Sequence, residues 1–280
     1  MRAALVQLTS GDDPGANLKV TEALVREAAA GGAALILTPE CTNMVSPSRE
    51  RQREFLRAEA NDATLARMRD VAAELGVSVL LGSLLLKADD NADDGERFVN
   101  RSLLIGPDGG IAARYDKIHM FDVSLKDGES YRESAAFRPG DRAVLTEAAG
   151  LRLGLSICYD LRFPRLYRSL AQAGAEVLTI PAAFTVPTGE AHWHVLLRAR
   201  AIECGACVLA PAQTGTHPAT TGKPRRTYGH SLAVGPWGEI IADAGDDGPG
   251  VTFVEINRDE IARAREMVPS LRHDRDFSAP

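Results

Sequence analysis

The strongest constraint on the fold is a set of short, largely apolar runs that alternate with helical patterns. Ala34-Leu35-Ile36-Leu37-Thr38 has no polar face and ends at once in Pro39-Glu40. A strand that is apolar at every position is covered on both faces. Arg2–Leu8, Val77–Leu81, Leu151–Ile157, Val177–Ile180 and Cys207–Ala210 read as further strands. Between them the apolar spacing turns helical. Asn17 is placed to cap a helix to about Ala30, with Val20, Leu24, Val25 and Ala28 on one face and Gly31-Gly32 ending it. Asp62 caps a second, with Leu65, Met68, Ala72 and Leu75 in phase and Gly76 after it. Arg162–Ala173 and Glu190–Cys204 read as further helices. Val99–Ile105 and Ile111–Tyr115 flank Gly106-Pro107-Asp108-Gly109-Gly110, and a second hairpin turns on Gly235-Pro236-Trp237-Gly238. Crossovers together with hairpins predict an α/β chain with mixed sheets. Residues 1–256 read as one domain. Residues 257–280 read as a C-terminal helix and tail that packs on that domain or on a dimer partner.

Composition narrows the function classes. The 280 residues are 45% hydrophobic and 25% charged, with net charge -6, and basic residues are scattered among acids. That pattern argues against nucleic acid and against an anionic membrane as partners. Arg49–Arg57, with four arginines and two glutamates, reads as a solvated helix face. No run approaches the ~20 apolar residues of a membrane span. The N-terminus reads as a strand rather than a signal peptide, and four cysteines are too few for a disulfide framework. A cytoplasmic protein is expected.

Four positions draw attention for chemistry. Cys158 follows an apolar strand and precedes a helix, in Ser156-Ile157-Cys158-Tyr159-Asp160-Leu161-Arg162. A thiol on such a turn is exposed, and the helix N-terminus favours its thiolate; a small buried hydrophobe is the equal alternative. Glu40 stands directly after a buried strand, where sites gather in α/β sheets. Partial burial raises a glutamate's pKa and suits it to act as a base; a helix cap or surface residue is the other reading. Lys117, in Tyr115-Asp116-Lys117-Ile118-His119, ends a strand and is a candidate oxyanion contact, or a partner of Asp116. Glu133 lies in a loop and by itself reads as a solvated carboxylate.

Together these residues and their surroundings resemble the nitrilase superfamily of carbon–nitrogen hydrolases over about residues 1–270. The likeness is carried by Thr38-Pro39-Glu40, Tyr115–His119, Gly154–Pro164, Phe184–Glu203 and Tyr228–Glu239, with Lys117 and Glu133 16 residues apart and Lys117 and Cys158 41 apart. The resemblance implies Glu40 as base, Lys117 as proton donor and oxyanion contact, Cys158 as nucleophile, and Glu133 as a further glutamate positioning substrate or Lys117. It implies a four-layer α-β-β-α sandwich with two mixed sheets, assembled as a homodimer or higher homo-oligomer, and no metal or organic cofactor. Ala183-Phe184-Thr185, Ala191-His192-Trp193, Gln213-Thr214-Gly215 and Tyr228-Gly229-His230-Ser231 resemble the Nit branch. That branch includes deaminated-glutathione amidase and omega-amidase. The expected activity is therefore cysteine-dependent hydrolysis of a non-peptide carbon–nitrogen bond. It releases ammonia from a small carboxylate-bearing amide through a thioester. 2-Oxoglutaramate, N-carbamoyl compounds and nitriles are alternative substrates, and a non-catalytic scaffold is a distant alternative. Tyr159, Arg162, Phe184, Thr185 and His192 are the candidate substrate contacts. Arg162 is offered to a carboxylate, while Lys223, Arg225 and Arg226 read as solvated loop charges. Pro187, Cys41 and a long loop at Thr214–Thr227 depart from the family pattern.

Other readings fall away. Cys204-Gly205-Ala206-Cys207 has no second pair to complete a zinc site. His192 and His194, two apart on a helix, face different ways and make no metal pair. Gly154-x-Ser156-x-Cys158 is not the serine-hydrolase elbow, and there is no phosphate-binding loop.

Overall fold

The computed structural model describes residues 1–88, 97–124 and 130–278. Its first half runs β1 (Arg2–Gln7), α1 (Pro14–Ala30), β2 (Leu35–Leu37), α2 (Arg49–Phe55), α3 (Ala63–Leu75), β3 (Ser78–Lys87), β4 (Phe98–Ile105) and β5 (Ile111–Asp116), followed by a short pair, β6 (Asp122–Ser124) and β7 (Ser130–Arg132). Then come β8 (Val144–Ala148), β9 (Leu151–Leu155), α4 (Pro164–Gln172), β10 (Val177–Thr179), α5 (Val186–Cys204), β11 (Cys207–Ala210), the small hairpin β12 (Thr214–Thr216) and β13 (Arg226–Tyr228), β14 (Leu232–Val234), β15 (Ile240–Asp243), β16 (Gly250–Glu255) and α6 (Arg258–Met267).

Two six-stranded sheets share one plan, in the orders β16-β1-β2-β3-β4-β5 and β15-β14-β11-β10-β9-β8. In each, three parallel strands stand at the centre and antiparallel strands flank them. The mixed α/β reading is what the chain adopts, and the period-two alternation of strand side chains explains the layers. Ala3, Leu5, Leu35, Leu37, Leu80 and Leu104 join the core shared with the second sheet. Their neighbours Ala4, Val6, Ile36, Val79, Leu81, Leu103 and Ile105 pack with Val25 and Ala28 of α1 and Leu65, Met68 and Ala72 of α3. Leu166 and Leu170 of α4 and Trp193, Leu197 and Ala201 of α5 cover the second sheet. The result is the four-layer α-β-β-α sandwich that the resemblance implied.

Local chemistry sets the element ends. The α1 cap is Asp13, whose Oδ1 accepts from Gly15 and Ala16 N–H ahead of Pro14 at the first turn. Asn17, expected as the cap, is buried instead and exchanges hydrogen bonds with the Gly11 backbone. Asp62 caps α3 and Gly76 closes it in the left-handed region, as read. α5 begins four residues earlier than its apolar spacing suggested, because Pro187 fits a first helical turn. Cys204 ends α5, Cys207 opens β11, and both are buried and unpaired with one another. Downstream of α6, the tail lies on α4: Arg168 bonds Ser270 O and Asp274, and Gln172 bonds Leu271 O. Residues 279–280 of the segment 257–280 lie outside the described residues. Where the two sheets meet, Gly82 is indispensable, since a Cβ there would sit 1.9 Å from Thr38 O and 2.5 Å from Pro181 Cβ. That close approach brings the segments bearing Glu40 and Cys158 together.

Candidate active site

Glu40 follows β2, Lys117 follows β5 and Cys158 follows β9, so the first sheet supplies two of these side chains and the second supplies the third. All three are buried, at 4%, 2% and 7% exposure respectively. Lys117 Nζ donates to Glu40 Oε1 at 2.9 Å and to Glu133 at 2.9 and 3.0 Å. Glu133, in the turn after β7, is fixed by the Phe121 N–H at 2.7 Å. The loop glutamate that sequence alone read as solvated is therefore an ion-pair partner of the buried lysine. Cys158 lies at φ +50, a left-handed conformation rare outside glycine. Its amide is tied to Pro181 O at 2.9 Å. Such strain gathers at functional sites where the surroundings over-determine it.

Protonation states follow from this packing. Burial by itself raises the Glu40 pKa, but the Lys117 ammonium and the Cys158 and Lys117 hydrogen bonds outweigh it, and the carboxyl ends below its ordinary range. For Lys117, burial works against the charge, and Glu133 and Glu40 more than reverse that, holding the pKa well above normal. Burial and then the Glu40 charge push the Cys158 thiol well up, against the opposing pull of Lys117. Two expectations are corrected here. Glu40 is depressed rather than raised, because its cation is in contact. Cys158 does not rest as a thiolate, because burial and a neighbouring carboxylate outweigh the short helical turn (Cys158–Arg162) that begins at it. The resting site holds a thiol beside an ionised carboxylate.

Three polar residues to which the sequence reading gave no role hold this arrangement. Asn100 on β4 donates to Glu40 Oε1 at 2.9 Å, and its Oδ1 is buried without a partner among the described residues. Asp160, fully buried, accepts from Ile157 N–H (2.9 Å), His119 N–H (3.0 Å), His119 Nδ1 (2.7 Å) and Tyr115 Oη (2.6 Å). It thereby ties the residue before Cys158 to the residues flanking Lys117. Gln213 donates to Glu40 O (3.0 Å) and Ser10 Oγ (3.0 Å). The signal for Asn100 was a polar run, Asn100-Arg101-Ser102, inside an otherwise apolar strand. The other two bond to segments far away in the chain.

These residues open on a cavity of about 760 Å³. Tyr159, Arg162, Phe184 and Thr185 line it, as do Arg49, Arg132 and Arg225. The Arg162 guanidinium lies 5.8 Å from the Tyr159 ring centroid and 5.5 Å from that of Phe184. His192 is not in the wall; it stands against Arg162, with Nδ1 3.3 Å from both terminal nitrogens. Arg49 and Arg225, read from sequence as solvated charges, both face the cavity. Arg225 donates to Ala183 O, while its Nε is buried without a partner among the described residues. The hairpin β12–β13 presents it, anchored by His217 between Ser10 O and Thr227 Oγ1, each 2.7 Å away. Burial pushes the His217 pKa down to about 4, so it is held neutral.

The geometry can be set beside known proteins. The sequence model of the carbon–nitrogen hydrolase family matches residues 2–266. A Synechocystis protein named deaminated glutathione amidase is 41% identical over 273 residues, covering 97% of each chain. The C. elegans NitFhit crystal structure superposes with a TM-score of 0.88 at 34% identity, over 98% of this chain and 65% of that longer one, just under two thirds of its length. An amidase from Nesterenkonia sp. AN1, solved with acrylamide added to its active-site cysteine, superposes with a TM-score of 0.76 at 27% identity, over 96% of this chain and 98% of that one.

Proposed function

Because this chain belongs to the carbon–nitrogen hydrolase family, we propose that it is a cysteine-dependent amidase that releases ammonia from a small, carboxylate-bearing linear amide, with deaminated glutathione the foremost candidate. The observation that carries the reading is the buried chain of contacts from Cys158 through ionised Glu40 to Lys117 and Glu133, set in the wall of an arginine-lined cavity.

In the mechanism, Glu40 removes the Cys158 thiol proton as sulfur attacks the amide carbonyl carbon. The oxyanion forms beside Lys117 Nζ and the Tyr159 N–H. Collapse expels ammonia, which takes the proton held by Glu40, and leaves a thioester on Cys158. Water, deprotonated by Glu40, cleaves the thioester to the carboxylate and restores the thiol. Glu133 keeps Lys117 charged and in place. Covalent catalysis divides one difficult displacement into two easier ones. Arg162 and Arg225, neither of which pairs with a carboxylate among the described residues, are assigned to the substrate's distal carboxylates. The identity to proteins named for this amidase activity supports the choice of substrate.

Homodimerisation and a cytoplasmic setting are part of the proposal. Val195 and Ile202 stand exposed on α5, an apolar surface suited to a second copy. The functional test is ammonia release from deaminated glutathione and from 2-oxoglutaramate, side by side, with Cys158→Ala as control. Preference for the first is expected. Preference for the second would replace the substrate with an omega-amidase one, and release from neither would overturn both substrate choices and move the search to nitriles and N-carbamoyl compounds.

A further inference from the structure

Outside the catalytic cavity, a helix and a hairpin bring together three side chains that are far apart in the chain: His194 on α5, His230 just before β14, and Asp243 at the end of β15. Asp243 Oδ2 lies 3.0 Å from His194 Nε2, and His230 Nδ1 lies 2.9 Å from Asp243 Oδ1 and 3.2 Å from its Oδ2. All three ligand atoms fall within 4.8 Å of one another, the one such cluster of three found among the described residues. A tetrahedral ion with ligand bonds of about 2.0–2.1 Å spaces its ligand atoms roughly 3.3 Å apart. Two of the three edges are already close to that length, and turning one imidazole adjusts the third.

The arrangement is held from behind. His230 adopts φ +56. Its N–H is tied to Gly245 O at 2.7 Å and its carbonyl accepts from the Trp193 indole at 2.8 Å. The Tyr228 ring stacks on it with centroids 4.5 Å apart. These contacts restrict where Nδ1 can point. The Gly245 N–H, 2.9 Å from Asp243 Oδ1, orients the carboxylate, the kind of outer hydrogen bond that metal ligands ordinarily have. The side chains are 24–30% exposed, so an ion can enter and keep a water in its fourth position.

We propose that His194, His230 and Asp243 form a binding site for one divalent transition-metal ion of the zinc class. Two imidazoles and one carboxylate without thiolate match such ions better than calcium or magnesium, which take oxygen ligands. The ion fastens α5 to the β14–β15 hairpin behind the cavity wall, since Trp193 packs on Phe184 with ring centroids 4.8 Å apart.

Cobalt(II) titration of the full-length protein tests the site, read by visible absorption and by thermal melting with zinc. The expected result is one equivalent of tetrahedral cobalt without a sulfur-to-metal charge-transfer band, in wild type and in Cys158→Ala alike, and a zinc-dependent rise in Tm. His230→Asn, which tolerates the left-handed backbone, and Asp243→Asn should each weaken cobalt binding by at least about tenfold, since removing even outer partners costs about 10–100-fold. A thiolate charge-transfer band, which would locate the ion at a cysteine, overturns the proposal. So does unchanged affinity in both variants, or no binding by wild type.

Discussion

Replacing Asp160 with asparagine tests whether the site is held by a part of the molecule that never meets substrate. Asp160 gives two acceptor oxygens to four donors: Oδ2 takes the Ile157 N–H and Tyr115 Oη, and Oδ1 takes the His119 N–H and Nδ1. Asparagine keeps one carbonyl oxygen and turns an NH2 toward the other two donors. The Tyr115 hydroxyl can rotate and accept, but a backbone N–H cannot. At about 1–3 kcal/mol for each orphaned buried donor, with the weakening of charge-assisted bonds added, the substitution costs roughly 2–4 kcal/mol. For a chain of this size that lowers Tm by about 5–15 °C. The kinetic effect has a different origin. Ile157 precedes Cys158, and Tyr115 and His119 flank Lys117, so slack at Asp160 changes the spacing of nucleophile and cation. A displacement of about 1 Å costs on the order of 100-fold in rate. The expectation is a kcat lowered about 100-fold with KM changed by less than about threefold, measured well below the variant's Tm. A melting temperature within about 1 °C of wild type would refute the hydrogen-bond reasoning. A lowered Tm with kcat intact would show that Asp160 supports the fold but does not position the reacting groups.

Other perturbations separate the roles. Cys158→Ala should abolish ammonia release while circular dichroism and melting stay close to wild type; residual turnover would remove the nucleophile assignment. Lys117→Ala leaves the buried Glu40 carboxylate facing the partly buried Glu133 without their cation, and breaking such a buried pair costs about 3–5 kcal/mol. Urea unfolding should show that loss along with loss of turnover. Arg225→Gln should raise KM about 10–100-fold for a carboxylate-bearing amide, matching one charged hydrogen bond of about 1.5–3 kcal/mol, and leave a neutral amide nearly unaffected. Since the folded Glu40 pKa lies below its unfolded value of about 4.3, its contribution to stability is present above that value and is lost as pH falls through the lower folded one. Wild type should therefore lose stability more steeply than Glu40→Gln in acid, below about pH 4.3, by denaturant unfolding at each pH.

The layers were legible because apolar runs such as Leu35–Leu37 must be covered on both faces, and that burial is written into composition. Glu40 and Cys158 stood out as candidates because each follows such a run; Lys117 follows the half-exposed strand β5 and stood out through the family resemblance. Charges were harder to read. Glu133, Arg49 and Arg225 look like loop or surface residues in sequence, and only tertiary proximity shows Glu133 to be an ion-pair partner of Lys117 and the arginines to face the cavity. The protonation expectations failed for the same reason. Depth of burial suggests a raised glutamate pKa, but the sign is set by a lysine 77 residues away. Asp160 sits beside Cys158 in sequence, yet its partners Tyr115 and His119 lie on the far side of β8 and β9, and no local pattern announces that bond.

The division of the reacting groups between the two sheets also has a consequence for how the chain is made. Glu40 and Lys117 come with the first sheet and Cys158 with the second, and Gly82 lets the backbones meet. Under the proposed roles, a chain with only one sheet formed holds a base without a nucleophile, or a thiol without its base. The proposed mechanism then requires the two sheets to join, so that turnover would report completed assembly.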